Sequence, residues 1–346
     1  MAASDLQALS LQAQGLRFHA VAAGPEDGPL VILLHGFPET SYAWRHQIAP
    51  LAEAGFRVVA PDQRGYGGSD KPAGVPAYQL NTLALDVIGL AQALGRQKFS
   101  VVGHDWGGIV AWHLAMHHAV HIERAAILNA PHPATLLRYT LRNPLQLVKS
   151  AYVGFFQLPL APEFTLSAAN YQALCWALTR SSRPGTFKPE EIKLYRQAWA
   201  QQGALTTMLN WYRALLLPSA SKSPVRIAAT VPVRVIWGDR DSALERGLAE
   251  EAVTWCDNGE AIHLPSATHW LHHEESEFVN TLLLEFLESS SNESGNGNGS
   301  GSRNDGNNHT ARKNRKDRTA ASAATTTTAT TNATKAGTKT EAEAVG

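Results

Sequence analysis

Apolar positions in the first part of the chain follow two rhythms. Short runs at residues 30–34, 57–62, 99–105 and 125–129 are largely apolar at consecutive positions and too short for helices, which predicts strands buried on both faces. Residues 16–23 alternate apolar and polar, as a half-buried strand does. Between these runs the spacing becomes helical: Leu80, Leu83, Val87, Leu90, Ala91 and Leu94, closed by Gly95, predict a helix over 78–94, and 109–118 predicts another. Strands alternating with helices predict an α/β fold, a doubly wound, mostly parallel sheet. The alternation stops between His132 and Arg226, where leucine-rich and aromatic helical stretches are broken by Pro144, Pro159, Pro162, Pro184 and Pro189. It resumes with strands at 231–237 and 261–264 and a last amphipathic helix at 280–288. The expected organisation is a core of residues 1–131 and 226–288, with a helical cap of residues 132–225 lying over the strand ends and excluding water.

Composition adds a tail. Beyond Glu288 the sequence turns to Ser, Asn, Gly, Thr and Ala, so residues 289–346 are expected to be disordered. They carry eight of the 30 Lys and Arg and five of the 30 Asp and Glu, including the basic run 312–318, which reads as solvated tail. The remainder is near neutral, which argues against a nucleic-acid partner. Cys175 and Cys256 have neither metal nor redox spacing, so reduced, buried thiols, a reducing cytoplasmic setting and no metal or cofactor are expected. No basic-then-apolar leader opens the sequence, and no apolar run approaches the ~20 residues that a membrane span needs. Oligomeric state is not legible.

The chemistry centres on Gly103-His104-Asp105-Trp106-Gly107-Gly108, where an apolar run ends at a Gly-x-Asp-x-Gly turn and an amphipathic run begins. That is the layout of a nucleophile elbow, with Asp105 where an esterase has serine. An ionised carboxylate is already an anion; it can displace a leaving group from saturated carbon and form an alkyl ester, which points to epoxides or alkyl halides. In hydrolases built on such an elbow, one oxyanion N–H comes from the loop after an earlier strand and the other from the residue after the nucleophile, here Phe37 and Trp106. An acid should follow one late strand and a histidine the next. Asp239 and Asp241 compete for the acid; Asp239 is placed to cap a turn, whereas Asp241 lies further along the loop, within reach of a histidine. His269 is the expected base. His272 and His273, on a stretch ending in Glu274 and Glu275, are expected at the surface.

These residues resemble the epoxide hydrolase branch of the α/β-hydrolase superfamily, close to the soluble epoxide hydrolases and the epoxide hydrolase 4 type. The similarity covers about residues 16–288 and rests on His35-Gly36-Phe37-Pro38, Asp62-Gln63-Arg64-Gly65-Tyr66-Gly67, the elbow, and the cap segments 151–157 and 210–213. It implies that Tyr152 and Tyr212 hold the epoxide oxygen. A phenol of pKa about 10 suits that task, since it stays protonated at neutral pH yet can donate to an alkoxide. His35, Gly36, Pro38, His104, Trp211 and Trp270 are expected to border a small apolar epoxide and water. A dehalogenase with the same Asp nucleophile is the nearest rival. Haloalkane dehalogenases usually place Asn where Phe37 stands. Fluoroacetate dehalogenases usually carry arginines where Trp106 and Ile109 stand, and a His-Trp pair where Val153 and Gly154 follow Tyr152. A non-catalytic hydrolase-fold binding protein is a second rival, although no member of the Asp105, Asp241 and His269 set is missing.

Overall fold

The computed structural model describes residues 6–218 and 228–289. The expected tail, apart from Ser289, and the last part of the expected cap lie outside the described residues. In chain order the core elements are β1 (Gln7–Ala13), β2 (Leu16–Ala23), β3 (Leu30–Leu34), α1 (Ile48–Glu53), β4 (Arg57–Pro61), α2 (Leu80–Ala93), β5 (Phe99–His104), α3 (Trp106–His117) and β6 (Ile122–Leu128). Six helices follow: α4 (Pro133–Arg142), α5 (Pro144–Lys149), α6 (Ala151–Phe155), α7 (Ala161–Thr179), α8 (Pro189–Trp199) and α9 (Ala204–Ala214). The core resumes with β7 (Val233–Gly238), α10 (Gly247–Val253), β8 (Gly259–Leu264), α11 (Leu271–Glu274) and α12 (Ser276–Glu288).

The strands form one sheet in the order β1-β2-β4-β3-β5-β6-β7-β8. β2 is antiparallel to β1 and β4, and every other pairing is parallel. This is an α/β-hydrolase fold. β1 is an addition to the sequence reading, which began the sheet at residue 16. Its side chains are mostly exposed or half-buried, so an edge strand pairing with one neighbour through Gln14 and Gly15, both at positive φ, leaves little hydrophobic signal.

Every residue of β3, β4 and β5 is buried, and the pleat divides them between two cores. Ile32, Leu34, Val59 and Val101 pack with α2, α3 and the inserted helices, whereas Val31, Leu33, Val58 and Val102 pack with α1 and α12. The inserted prolines initiate helices more than they break them. Pro133, Pro144 and Pro189 open α4, α5 and α8, and Pro162 is second in α7, positions whose N–H has no helical partner to lose. Among the described residues the sharp interruption is inside α7, where Ala169, Asn170 and Tyr171 all take positive φ.

Candidate active site

The elbow depends on close backbone approach. Asp105 links β5 to α3 at φ 51° and ψ −119°, a conformation that side chains rarely adopt, and its N–H donates to the Leu128 carbonyl at 3.2 Å. A Cβ on Gly107 would meet the Leu34 carbonyl oxygen at 2.0 Å, and one on Gly36 would meet Asp105 Cβ at 2.4 Å. Glycine is therefore required where the helix start and the β3 loop converge on the carboxylate. The Phe37 N–H donates to Asp105 Oδ1 at 2.8 Å. Trp106 is the first residue of α3, where backbone N–H groups have no partner within the helix.

β7 and β8 deliver the other two groups. His269 Nδ1 lies 2.7 Å from Asp241 Oδ2, and its Nε2 lies 3.6 Å from Asp105 Oδ2. Asp241 is further held by Asn129 Nδ2 at 2.6 Å and by the Ala243 and Leu244 N–H groups at 2.7 and 2.9 Å. Burial alone would raise the Asp241 pKa, but the His269 charge and these donors outweigh it and hold the carboxyl below its usual value. Burial disfavours the His269 imidazolium in the same way; Asp241 and Asp105 overcome it and push the pKa up to about 10. Asp239 is engaged elsewhere, with His263 Nδ1 at 2.5 Å.

Asn129, Gln146 and Lys149 were not singled out in the sequence. Gln146 Nε2 donates to the Ala243 carbonyl at 3.0 Å, its Oε1 accepts the Glu245 N–H at 2.8 Å, and Lys149 Nζ donates to the Asp241 carbonyl at 3.1 Å. The inserted helix α5 thus clamps the loop that carries Asp241. Such contacts leave no periodic signal, because each depends on two segments about a hundred residues apart.

A cavity of about 510 Å³ opens over these groups, with Phe37, Pro38, Asp105, Trp106, Tyr152, Tyr212, His269 and Trp270 on its wall together with Ile109, Val153, Phe156, Leu174 and Leu244. Most of the lining is apolar, so water solvates a bound charge poorly there. The Tyr152 and Tyr212 rings lie 6.0 Å apart, and the Tyr212 ring stands edge-on to Phe37 at 5.4 Å and Trp106 at 4.9 Å. Loss of water around the hydroxyls, then the nearby Asp105 carboxylate for Tyr152 and the Tyr152 ring and Asp105 for Tyr212, raise both phenol pKa values although the Tyr152 residue is 38% exposed, so both hydroxyls are protonated donors at neutral pH.

Four expected lining residues stand behind the wall. His35 accepts the Gln63 N–H at Nε2 and meets the Gly36 carbonyl at Nδ1, tying the β3 loop to the β4 loop. Gly36 makes room for Asp105. His104 is buried with its Nε2 2.9 Å from the His269 carbonyl, and Trp211 donates to the Arg64 carbonyl at 3.1 Å. His272 and His273 correct the sequence reading more sharply: both are buried, because the short α11 turns its two imidazoles inward toward Glu39.

With fold and site together, the chain matches the α/β hydrolase fold family model over residues 29–276. It belongs to that family, in its epoxide hydrolase branch, and is a hydrolase. It is 48% identical over 275 residues to the AB hydrolase superfamily protein YfhM of Bacillus subtilis, covering 80% of this chain and 96% of that protein. It is 38% identical over 283 residues to epoxide hydrolase 4 of Mus musculus, covering 80% and 78%. A crystal structure of a Bacillus megaterium epoxide hydrolase with an inhibitor superposes with a TM-score of 0.73 at 27% identity, covering 81% of this chain and 100% of that one. Among the described residues, no helix is long and apolar enough to cross a membrane.

Proposed function

We propose that this hydrolase opens epoxides to vicinal diols through an alkyl ester on Asp105, which water activated by His269 then hydrolyses. The observation that carries the reading is the convergence on one apolar cavity of an elbow carboxylate, a carboxylate-held imidazole and two protonated phenols. In the first half reaction an Asp105 oxygen attacks an epoxide carbon, the ring C–O bond breaks, and Tyr152 or Tyr212 gives its proton to the departing alkoxide. Ester formation removes one of the two anions that hold the His269 proton. The imidazolium then releases that proton, which restores the phenol, and the neutral ring becomes a base.

In the second half reaction His269 takes a proton from water, which attacks the Asp105 carboxyl carbon. The oxyanion formed there is stabilised by the Phe37 and Trp106 N–H groups, its collapse expels the diol alkoxide, which takes the imidazolium proton, and the new Asp105 carboxylic acid then gives its proton to His269, which restores the starting charges. Asp241 keeps the ring oriented and balances its charge. A halide leaves as a weak base and requires no phenol, so the paired tyrosines favour ring opening over dehalogenation. A panel of aryl and alkyl epoxides, fluoroacetate and haloalkanes, read for diol, fluoride and halide, tests the assignment. Diol release is expected; halide release alone would replace the reading with dehalogenation, and no turnover of any class would favour a binding protein.

A further inference from the structure

Behind His269 lies a second polar cluster that the proposed reaction does not use. Glu39, His272 and His273 are all buried, and one donor atom from each lies within 4.8 Å of the others. His273 Nε2 is 2.8 Å from Glu39 Oε1, and His272 Nε2 is 3.5 Å from Glu39 Oε2. The Tyr195 hydroxyl donates to Glu39 Oε1 at 2.7 Å and fixes the carboxylate from the far side. His104 Nδ1 approaches Glu39 Oε2 at 3.7 Å. Hydrogen bonding among the described residues does not satisfy this group: Glu39 Oε2, both ring nitrogens of His272 and His104 Nδ1 have no hydrogen-bond partner there. Unsatisfied buried polar atoms are costly, and Glu39 Oε2 and His272 Nε2, 3.5 Å apart beside His273, mark a place for something that accepts their lone pairs.

We propose that Glu39, His272 and His273 form a divalent transition-metal site, of the kind that takes Zn²⁺. One carboxylate and two neutral imidazoles are the donors such a cation prefers, and their separations allow bonds of about 2.0–2.2 Å after small side-chain shifts. Binding at His273 Nε2 moves the proton that this nitrogen gives to Glu39 onto Nδ1 of the same ring, so that both imidazoles ligate in the neutral form. The ion would tie the loop after β3 to α11, and so brace from behind the turn that carries His269. Among the described residues both His272 Nδ1 and His273 Nδ1 lack an outer partner, which weakens the affinity by about 10–100-fold relative to a site with both rings held.

The test uses the full chain, treated with EDTA, dialysed, incubated for hours with Zn²⁺ or Co²⁺, and counted by elemental analysis. About one zinc per chain is expected, with visible d–d absorption for Co²⁺ and a melting temperature higher by about 5 °C at a hundredfold excess over Kd. The competing site is on α3, where the His113 ring lies 4.4 Å from His117 and 5.9 Å from His118. His117→Gln/His118→Gln should leave the count and the absorption unchanged, whereas His272→Gln/His273→Gln should abolish both. No bound metal in the wild-type chain overturns the proposal, as does a count that follows the α3 pair; both outcomes are readable even if the α11 variant does not fold.

Discussion

The charge linkage between Asp105 and His269 gives a prediction that can be worked from one distance. His269 Nε2 and Asp105 Oδ2 are 3.6 Å apart, with side chains only 8% and 18% exposed. At an effective dielectric of 20, two unit charges at that distance attract by about 4–5 kcal/mol, which corresponds to about three pKa units. Asp105→Asn keeps the shape and removes the charge, as ester formation does. The His269 pKa should therefore fall from about 10 to about 7–8, allowing for some screening by solvent in the cavity. The assay is a pH titration of ¹⁵N-histidine signals in wild type and variant, with His269→Gln to assign the resonance. The linkage also has a sign in stability. Because the folded pKa lies above the ordinary 6.5, proton binding by His269 stabilises the fold fully below pH 6.5 and ceases to do so as pH rises through about 10. Wild type should lose more melting temperature than Asp105→Asn between these limits. A wild-type His269 titrating near 6.5, or one unmoved by Asp105→Asn, would refute the reasoning.

Two further outcomes follow from the site and the scaffold. Tyr152→Phe and Tyr212→Phe should each slow alkylation by about 10²-fold or less, and the double variant by far more, while decay of the ester stays close to normal in stopped-flow traces; wild-type ring opening by the double variant would place the proton donor elsewhere. Arg64 holds buried Asp86 through two bonds of 2.6 Å, so Asp86→Ala should cost about 3–5 kcal/mol in chemical denaturation, and a loss under 1 kcal/mol would mean that the freed guanidinium finds water.

The sequence carried the sheet because strands buried on both faces write themselves as unbroken apolar runs, and β3 was placed at residues 30–34 on that basis alone. It did not carry β1, an edge strand with one neighbour. At the site, Asp105 was legible from the glycines around it, since close backbone packing demands those glycines locally. The pairing of Asp241 rather than Asp239 with His269 follows from loop reach, and His263, which occupies Asp239, gave no hint in the sequence. His272 and His273 misled for a physical reason. Adjacent histidines beside two glutamates look solvated, yet Glu274 turns back to bond Thr268 and Arg183, and the four-residue helix points both rings inward. Position relative to the wall also escaped the sequence: His35 and His104 neighbour the key residues along the chain but brace them from behind.

The central claim is that Asp105 becomes covalently alkylated and that His269 is needed only to release it. The direct measurement is intact-mass and peptide analysis of His269→Gln after incubation with an epoxide that the wild type converts. The account predicts a mass increase equal to one substrate, mapped to the peptide containing Asp105, and absent in His269→Gln/Asp105→Ala. A folded His269→Gln that turns over at the wild-type rate, or an adduct on any other residue, would contradict it.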